Sequence, residues 1–302
     1  MKQIIKHSIR LLSFTMIGMV ISCNNGNPAE NSLENQLAGP DTTSTEISQE
    51  EIFELIESFP TPLEMALAIK NGNNDFTSDI LLSTDSIDRF ISSYEKAMAM
   101  GAYGADMGYL NIYGKVFLVP DYLATIRLLS VDLDLDNFFD FEKMIEMAEN
   151  SDNIDSLIQM STESFNQMEA HLRDKGRDEL SLLIVFGTWL EGAYVIADVA
   201  QKAQSKEMFN RVAQQKDFVT KLDKIFTSSH DDFFKTIAAK IQPLVDLYEQ
   251  IEIEIIMKES TMEEINGQLV FIDNSETIIH ASDDDINKII NSTIEIRNEL
   301  LK

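Results

Sequence analysis

From Ser48 to the C-terminus, apolar residues recur every three to four positions, the period that puts them on one face of an α-helix. Ser48 followed by Glu51 is a capping box, and Ile47 and Ile52 are placed for a hydrophobic staple. Thr61-Pro62-Leu63-Glu64 repeats the signal with proline at the first helical position, and Asn71-Gly72 is a left-handed stop. The period then predicts helices over Ser86–Tyr113, Pro120–Ser130, Asn137–Glu149, Asp152–Lys175, Arg177–Ala203, Ser205–Thr227 and His230–Lys258, the last kinked or restarted at Pro243. One stretch departs from it. Gln268–Ile272 and Glu276–His280 are β-branched and apolar around Asp273-Asn274-Ser275, which predicts a hairpin. Ser282 followed by three aspartates then caps a final helix running to Leu301. The fold class expected is all-α, a multi-helix bundle with one small β-hairpin near the C-terminus, with residues 48–302 forming a single helical domain.

The N-terminus carries a different pattern. Lys2, Lys6 and Arg10 precede an apolar run, Leu11 to Val20, about half the roughly 20 residues that a membrane-spanning helix needs. The run ends at Val20-Ile21-Ser22-Cys23, a small residue directly before the one cysteine of the chain. This resembles the lipobox of bacterial lipoproteins, with Val20 where leucine is commoner. It implies that residues 1–22 are a lipoprotein signal peptide and that Cys23 becomes an acylated (palmitate-type) N-terminus. Residues 23–47 are polar, with few large apolar side chains, and read as a flexible tether. Asn24 rather than aspartate after the cysteine leans toward the outer membrane, on either its periplasmic or its surface face.

Charge changes the picture of partners. The 302 residues hold 24 basic and 51 acidic side chains, a net charge of −27, and the leader removes three basic residues and no acid. Such a surface excludes nucleic-acid binding, which needs Lys and Arg against phosphate. It also repels anionic headgroups, leaving the acyl chains as the contact with the membrane. One cysteine excludes a disulfide framework and, once acylated, cysteine catalysis.

Two helical segments stand apart. In Lys96–Tyr113, Ala97, Gly101, Gly104 and Gly108 fall at spacings that share one helical face. Glycine in a helix costs about 1 kcal/mol relative to alanine, so three of them call for a return. The return expected is close packing of another helix against Gly101, Gly104 and Gly108, with room for a ligand as the alternative. Asp106 sits in this segment among Tyr103, Tyr109 and Tyr113. The second segment, Leu180–Ala197, is apolar on all sides and reads as the central buried helix, with Glu191 its one carboxylate beside Trp189 and Tyr194. A lone acid in such a helix must be hydrogen-bonded, paired or neutral. Tyr103, Asp106, Tyr109, Trp189, Glu191 and Tyr194 are therefore the candidate ligand or buried polar site. A faint echo, Asp106-x-Gly108-Tyr109 and Glu191-x-Ala193-Tyr194, hints at an internal duplication.

Known chemistries leave little. No histidine stands three residues after a glutamate, as di-iron bundles require. The acidic run Asp132, Asp134, Asp136 and Asp140 lacks the glycine and the closing glutamate of a calcium loop. No metal, cofactor or catalytic residue is expected, and no nucleophile elbow or phosphate loop occurs.

Thr61-Pro-Leu-Glu-Met-Ala66 with Ile69-Lys70, Lys96-Ala97, Gly101-Ala-Tyr-Gly-Ala-Asp106 and Gly187-Thr-Trp-Leu-Glu-Gly-Ala-Tyr194 resemble a group of Bacteroidetes-type bacterial lipoproteins that carries no established activity. The resemblance implies a location and a fold, not a chemistry. The expectation is a lipid-anchored envelope protein, a non-enzymatic helical module that binds a protein or assembly partner. The alternative is a small-ligand-binding lipoprotein with its site between the Gly101–Gly108 and Gly187–Tyr194 helices. An enzyme using Asp106 and Glu191 is the third reading.

Overall fold

A computed structural model describes residues 52, 54–55, 75–148, 154–258, 261–265, 268–272 and 276–302. The leader, Cys23, the tether and the first two capping signals lie outside them. Nine α-helices are described: α1 (Ser93–Ile112), α2 (Val119–Asp132), α3 (Phe141–Ala148), α4 (Ile154–Asp174), α5 (Asp178–Ala203), α6 (Lys206–Ala213), α7 (Lys216–Ser228), α8 (Asp232–Glu249) and α9 (Asp283–Leu301). Strands β1 (Glu252–Ile256), β2 (Thr261–Ile265), β3 (Gln268–Ile272) and β4 (Glu276–His280) lie between α8 and α9. The molecule is an all-α bundle with a small antiparallel β element near its C-terminus.

Caps decide where several helices begin. The helix expected from Ser86 is a 3-10 turn, Thr84–Arg89, followed by a break and then α1. The break falls there because Ser92 Oγ accepts the Glu95 N–H while Glu95 Oε2 accepts the Ser92 N–H, a reciprocal cap that starts a new helix. Ser282 and Asp285 cap α9 in the same way. The helix expected over Ser205–Thr227 is two, divided at Gln214-Gln215. Pro243 lies within a continuous α8, which stops at Glu249 rather than Lys258.

The β element differs from the expected hairpin in its pairing. The strands Gln268–Ile272 and Glu276–His280 form, but not with each other: β1 pairs with β4 (Glu252 opposite His280) and β2 with β3 (Ile265 opposite Gln268). The two antiparallel pairs, together called the ribbon below, are nested in sequence, β2–β3 between β1 and β4, and Asn266-Gly267, outside the described residues, is by sequence the dipeptide that favours a two-residue hairpin turn.

α5 is the centre. It packs against α1, α4, α6 and α9, and although long and apolar enough to cross a membrane, its most apolar stretch is wholly buried in the bundle. Trp189, Phe186 and Phe226 are among the largest side chains sealed inside.

The crossing of α1 and α5 is made at backbone distance. A Cβ on Gly101 would overlap the Ile184 carbonyl and come within 2.9 Å of the Thr188 nitrogen, and a Cβ on Gly187 would overlap the Met98 carbonyl and reach Met98 Cα at 3.0 Å. The two contacts are reciprocal, each glycine standing three residues after the residue whose carbonyl the other abuts. Thr188 Oγ1 reinforces the approach by donating to the Gly101 carbonyl at 3.1 Å. Gly104 takes no part: a Cβ there would meet nothing within 4 Å, and Gly104 and Gly108 are half-buried. The close approach is thus made at Gly101, with Gly187 as its counterpart, whereas Gly104 of the expected stripe meets nothing within 4 Å.

Thermal melts of two variants test this geometry. Gly101→Ala forces the helices apart and is expected to cost about 1–3 kcal/mol or more. Gly104→Ala gains helix propensity without a clash and is expected to be neutral or to stabilise by up to about 1 kcal/mol.

A closed polar cluster as the candidate functional site

Residues 80–83 enter the bundle without regular secondary structure, with Ile80 and Leu82 buried at 3% exposure each. Buried backbone groups need hydrogen-bond partners, and here four side chains from three helices supply them. Asp106 of α1 accepts the Leu82 N–H through Oδ2 at 2.9 Å. Tyr122 of α2 donates to the Leu82 carbonyl at 2.8 Å, and Tyr103 of α1 to the Ser83 carbonyl at 2.9 Å. Arg297 of α9 donates through Nη2 to the Ile80 carbonyl at 3.0 Å.

The same guanidinium holds Glu191 of α5 with two hydrogen bonds, Nε to Oε2 at 2.9 Å and Nη2 to Oε1 at 2.6 Å. This is the fork geometry that makes arginine–carboxylate pairs strong. Asp106 and Glu191 have no exposed surface and Arg297 has 1%. The guanidinium carbon also lies 4.1 Å from the centre of the Tyr194 ring, a cation–π contact in a desolvated place.

Asp106 stands within hydrogen-bonding range of the Glu191 carboxyl. Its Oδ1 is buried and receives no N–H or O–H donor from the described residues. Burial pushes the Asp106 carboxyl well above the usual carboxylate range, and the neighbouring Glu191 charge adds to the push. Burial pushes Glu191 upward as well, against the pull of Arg297. Tyr103 is pushed up to about 12 mainly by burial, and Tyr122 rises for the same reason.

Of the six positions expected to share a site, four meet: Tyr103, Asp106, Glu191 and Tyr194. Trp189 belongs elsewhere, donating to Gln215 Oε1 at 3.1 Å and stacking against Phe186. Two residues on from Trp189, Glu191 lies across the helix from it, which is why the pair separates. Tyr109 accepts the Thr77 N–H at 3.2 Å and stacks on Phe76. Sequence reasoning did not name Arg297 or Tyr122. Arg297 had a signal: it falls on the apolar stripe of α9 with Ile286, Ile289, Ile290, Thr293, Ile296 and Leu301, a position where a charge demands a buried counter-charge.

The interface between α1 and α5 leaves no room for a ligand at Gly101 or Gly187, where one methyl group already overlaps backbone. Among the described residues no three His, Cys, Asp or Glu side chains converge to hold a metal ion, the acidic run at Asp132–Asp140 included. Comparisons with protein-family models, with curated proteins and with solved structures give no match, so the meaning of the cluster rests on its geometry.

The hydrogen bonds of the cluster tie residues 80–83 to α1, α2 and α9, and α9 to α5. The pairing predicts that Arg297→Met, which strands a buried carboxylate, costs about 3–5 kcal/mol in equilibrium denaturation. The double variant E191Q/R297M is expected to cost less than the sum of its two single changes, by about 1–3 kcal/mol, and the double-mutant cycle measures this coupling.

Proposed function

We propose that the chain is a lipid-anchored envelope protein whose helical body is a non-enzymatic module, binding a protein partner through the β ribbon. One observation carries the reading. Of the nine large apolar side chains exposed among the described residues, five lie on this ribbon: Ile255 (62%), Ile256 (36%), Met257 (79%), Met262 (67%) and Ile278 (38%). Exposed apolar side chains gathered in this way mark interaction sites.

Alternation and register sort the β1–β4 part into two faces. Ile253, Ile255, Ile279 and Thr277 share one, and Ile253 and Ile279 at its inner end are half-buried. The other carries Glu252, Glu254 and Glu276 with His280, Ile256 and Ile278. Exposed apolar side chains on both faces, interspersed on one of them with glutamates, on a chain of net charge −27, suit a protein surface that offers apolar side chains flanked by Lys or Arg. They do not suit an anionic lipid surface or a second copy of this acidic chain. Each described strand pairs on one side only, which leaves outer edges for main-chain hydrogen bonding with a partner.

The closed acid cluster supports the same reading, because neither Asp106 nor Glu191 reaches solvent where a substrate or small ligand would meet it. Cys23 supplies the tether in this proposal.

The test is photo-crosslinking in intact cells from position 262 of the full chain. A discrete crosslinked product is expected, falling at least about tenfold in the I255E/M257E variant with an unchanged melting curve, since these side chains contribute little to the core. Absence of a crosslink, or a crosslink indifferent to the variant, overturns the reading. A small molecule co-purifying one-to-one in native mass spectrometry would turn it toward ligand binding. Separately, Cys23→Ser is expected to move the protein from the membrane fraction to the soluble fraction, because a body this acidic has no other hold on lipid.

A further inference from the structure

The cluster holds two carboxyl groups and one guanidinium, all without exposed surface beyond the 1% of Arg297. With both acids ionised the site would keep one uncompensated negative charge in the interior, the costliest arrangement for a buried group. The hydrogen bonds say where the imbalance lies. Both Glu191 oxygens are taken by Arg297, whereas the buried Asp106 Oδ1 receives no donor from the described residues, and the two carboxyl groups stand within hydrogen-bonding range of each other. Two oxygens held together in this way need a proton.

We propose that Asp106 is protonated in the native protein and donates to Glu191, so that Asp106, Glu191 and Arg297 form an electroneutral latch that pins residues 80–83 and α9 to the α1–α5 crossing and opens when the proton is lost. This inference is independent of the partner-binding reading.

The latch has identifiable parts. Asp106 and Arg297 hold the Leu82 N–H and the Ile80 carbonyl, the two ends of one short segment, and Arg297 joins that segment to α5 through Glu191. Loss of the proton sets two carboxylates against one guanidinium, and Asp106, the less well-paired of the two, is driven out together with the segment it holds. The other titratable groups facing the site do not compete for this role. Tyr103 and Tyr109 on α1, Tyr122 on α2 and Tyr194 on α5 all titrate above the ordinary tyrosine range, raised chiefly by burial. Asp198 on α5 acts on Tyr109 and Tyr194, and Lys302, beyond α9, adds a distant positive charge that favours ionised Glu191.

The sign of the pH dependence follows. A carboxyl whose folded-state pKa is raised binds its proton more tightly in the folded chain than in the unfolded one. Its stabilisation is complete below the ordinary carboxylate pKa of about 4, and is lost as pH rises through the folded-state value.

The experiment compares the full-length wild-type chain with Asp106→Asn, whose amide donates to Glu191 and whose carbonyl accepts from Leu82 as the protonated acid does. Folding equilibria are measured by denaturant titration from about pH 5 to about pH 9, where ordinary carboxyl groups are already ionised. The wild-type folding constant is expected to fall relative to D106N by roughly tenfold per pH unit while the proton is held, the slope for one proton. The hydrogen-exchange protection factor of the Leu82 amide is expected to fall with pH in the wild type and to hold in D106N. Parallel curves for the two proteins overturn the proposal. If D106N fails to fold, isotope-edited infrared spectra of aspartate-labelled wild type decide. A protonated aspartic acid at neutral pH, lost on raising the pH together with Leu82 protection, sustains the latch, and fully ionised aspartates overturn it.

Discussion

The fold depends on a guanidinium placed where there is no water. Arg297 faces into the bundle from α9, and everything that α9 meets there must answer its charge and its donors. Glu191 answers the charge with two hydrogen bonds, the Ile80 carbonyl takes part of what is left, and the Tyr194 ring covers the guanidinium. Desolvating such an ion pair costs about as much as the attraction returns, so a buried pair of this kind is weak evidence of stability as such. Its effect is on specificity. A bundle of apolar helices can slide and rotate at small cost, whereas a bidentate pair with a third bond to a backbone carbonyl is satisfied in one arrangement.

That requirement explains why an irregular segment can lie inside a helical protein. Ile80 and Leu82 are buried in a segment with no helix or strand ladder to absorb its backbone groups, and left without partners those groups would be costly. Asp106, Tyr103, Tyr122 and Arg297 replace the ladder with side chains, each from a helix already fixed by its own apolar face. The reciprocal contact of Gly101 and Gly187 is what brings α1 close enough to α5 for Asp106 to face Glu191. Backbone packing at the crossing and polar satisfaction beyond it are thus one piece of architecture, and a methyl group at either glycine would disturb both.

Much of this was legible in the sequence, and the failures share a cause. Local signals did well. Ser282 and the aspartates after it start α9, and the unbroken apolar character of Leu180–Ala197 marks the central helix. Glu191 was recognisable as an acid in need of a partner, because its own helix offers none. What spacing cannot say is which neighbour lies opposite. The stripe Gly101–Gly104–Gly108 is drawn by a helical wheel, yet the backbone contact with α5 is made at Gly101 and not at Gly104. Gly187, the matching half, shows no stripe in its own helix. The strands at Gln268 and Glu276 were read from β-branched residues to their correct bounds, but their pairing depended on two further strands, one of them, Glu252–Ile256, in a stretch whose isoleucines fit a helical period as well as an alternating one. Arg297 went unseen because arginine is common on helix surfaces, and only its place on the apolar stripe of α9 sets it apart.

Charge separates the two regions of the molecule in a way that bears on how it could work. Inside, Asp106 and Glu191 are held beside Arg297 without exposed surface. On the ribbon the reverse holds, with glutamates of β1 and β4 exposed beside isoleucine and methionine side chains that the bundle does not cover. Burying that strip would recover the hydrophobic free energy that the isolated chain forgoes, and a partner able to do so must also meet the carboxylates around it. In the proposed reading, the acidic surface disfavours nucleic acid, anionic lipid and self-association at once, and an apolar protein surface with a basic rim is the partner that suits it.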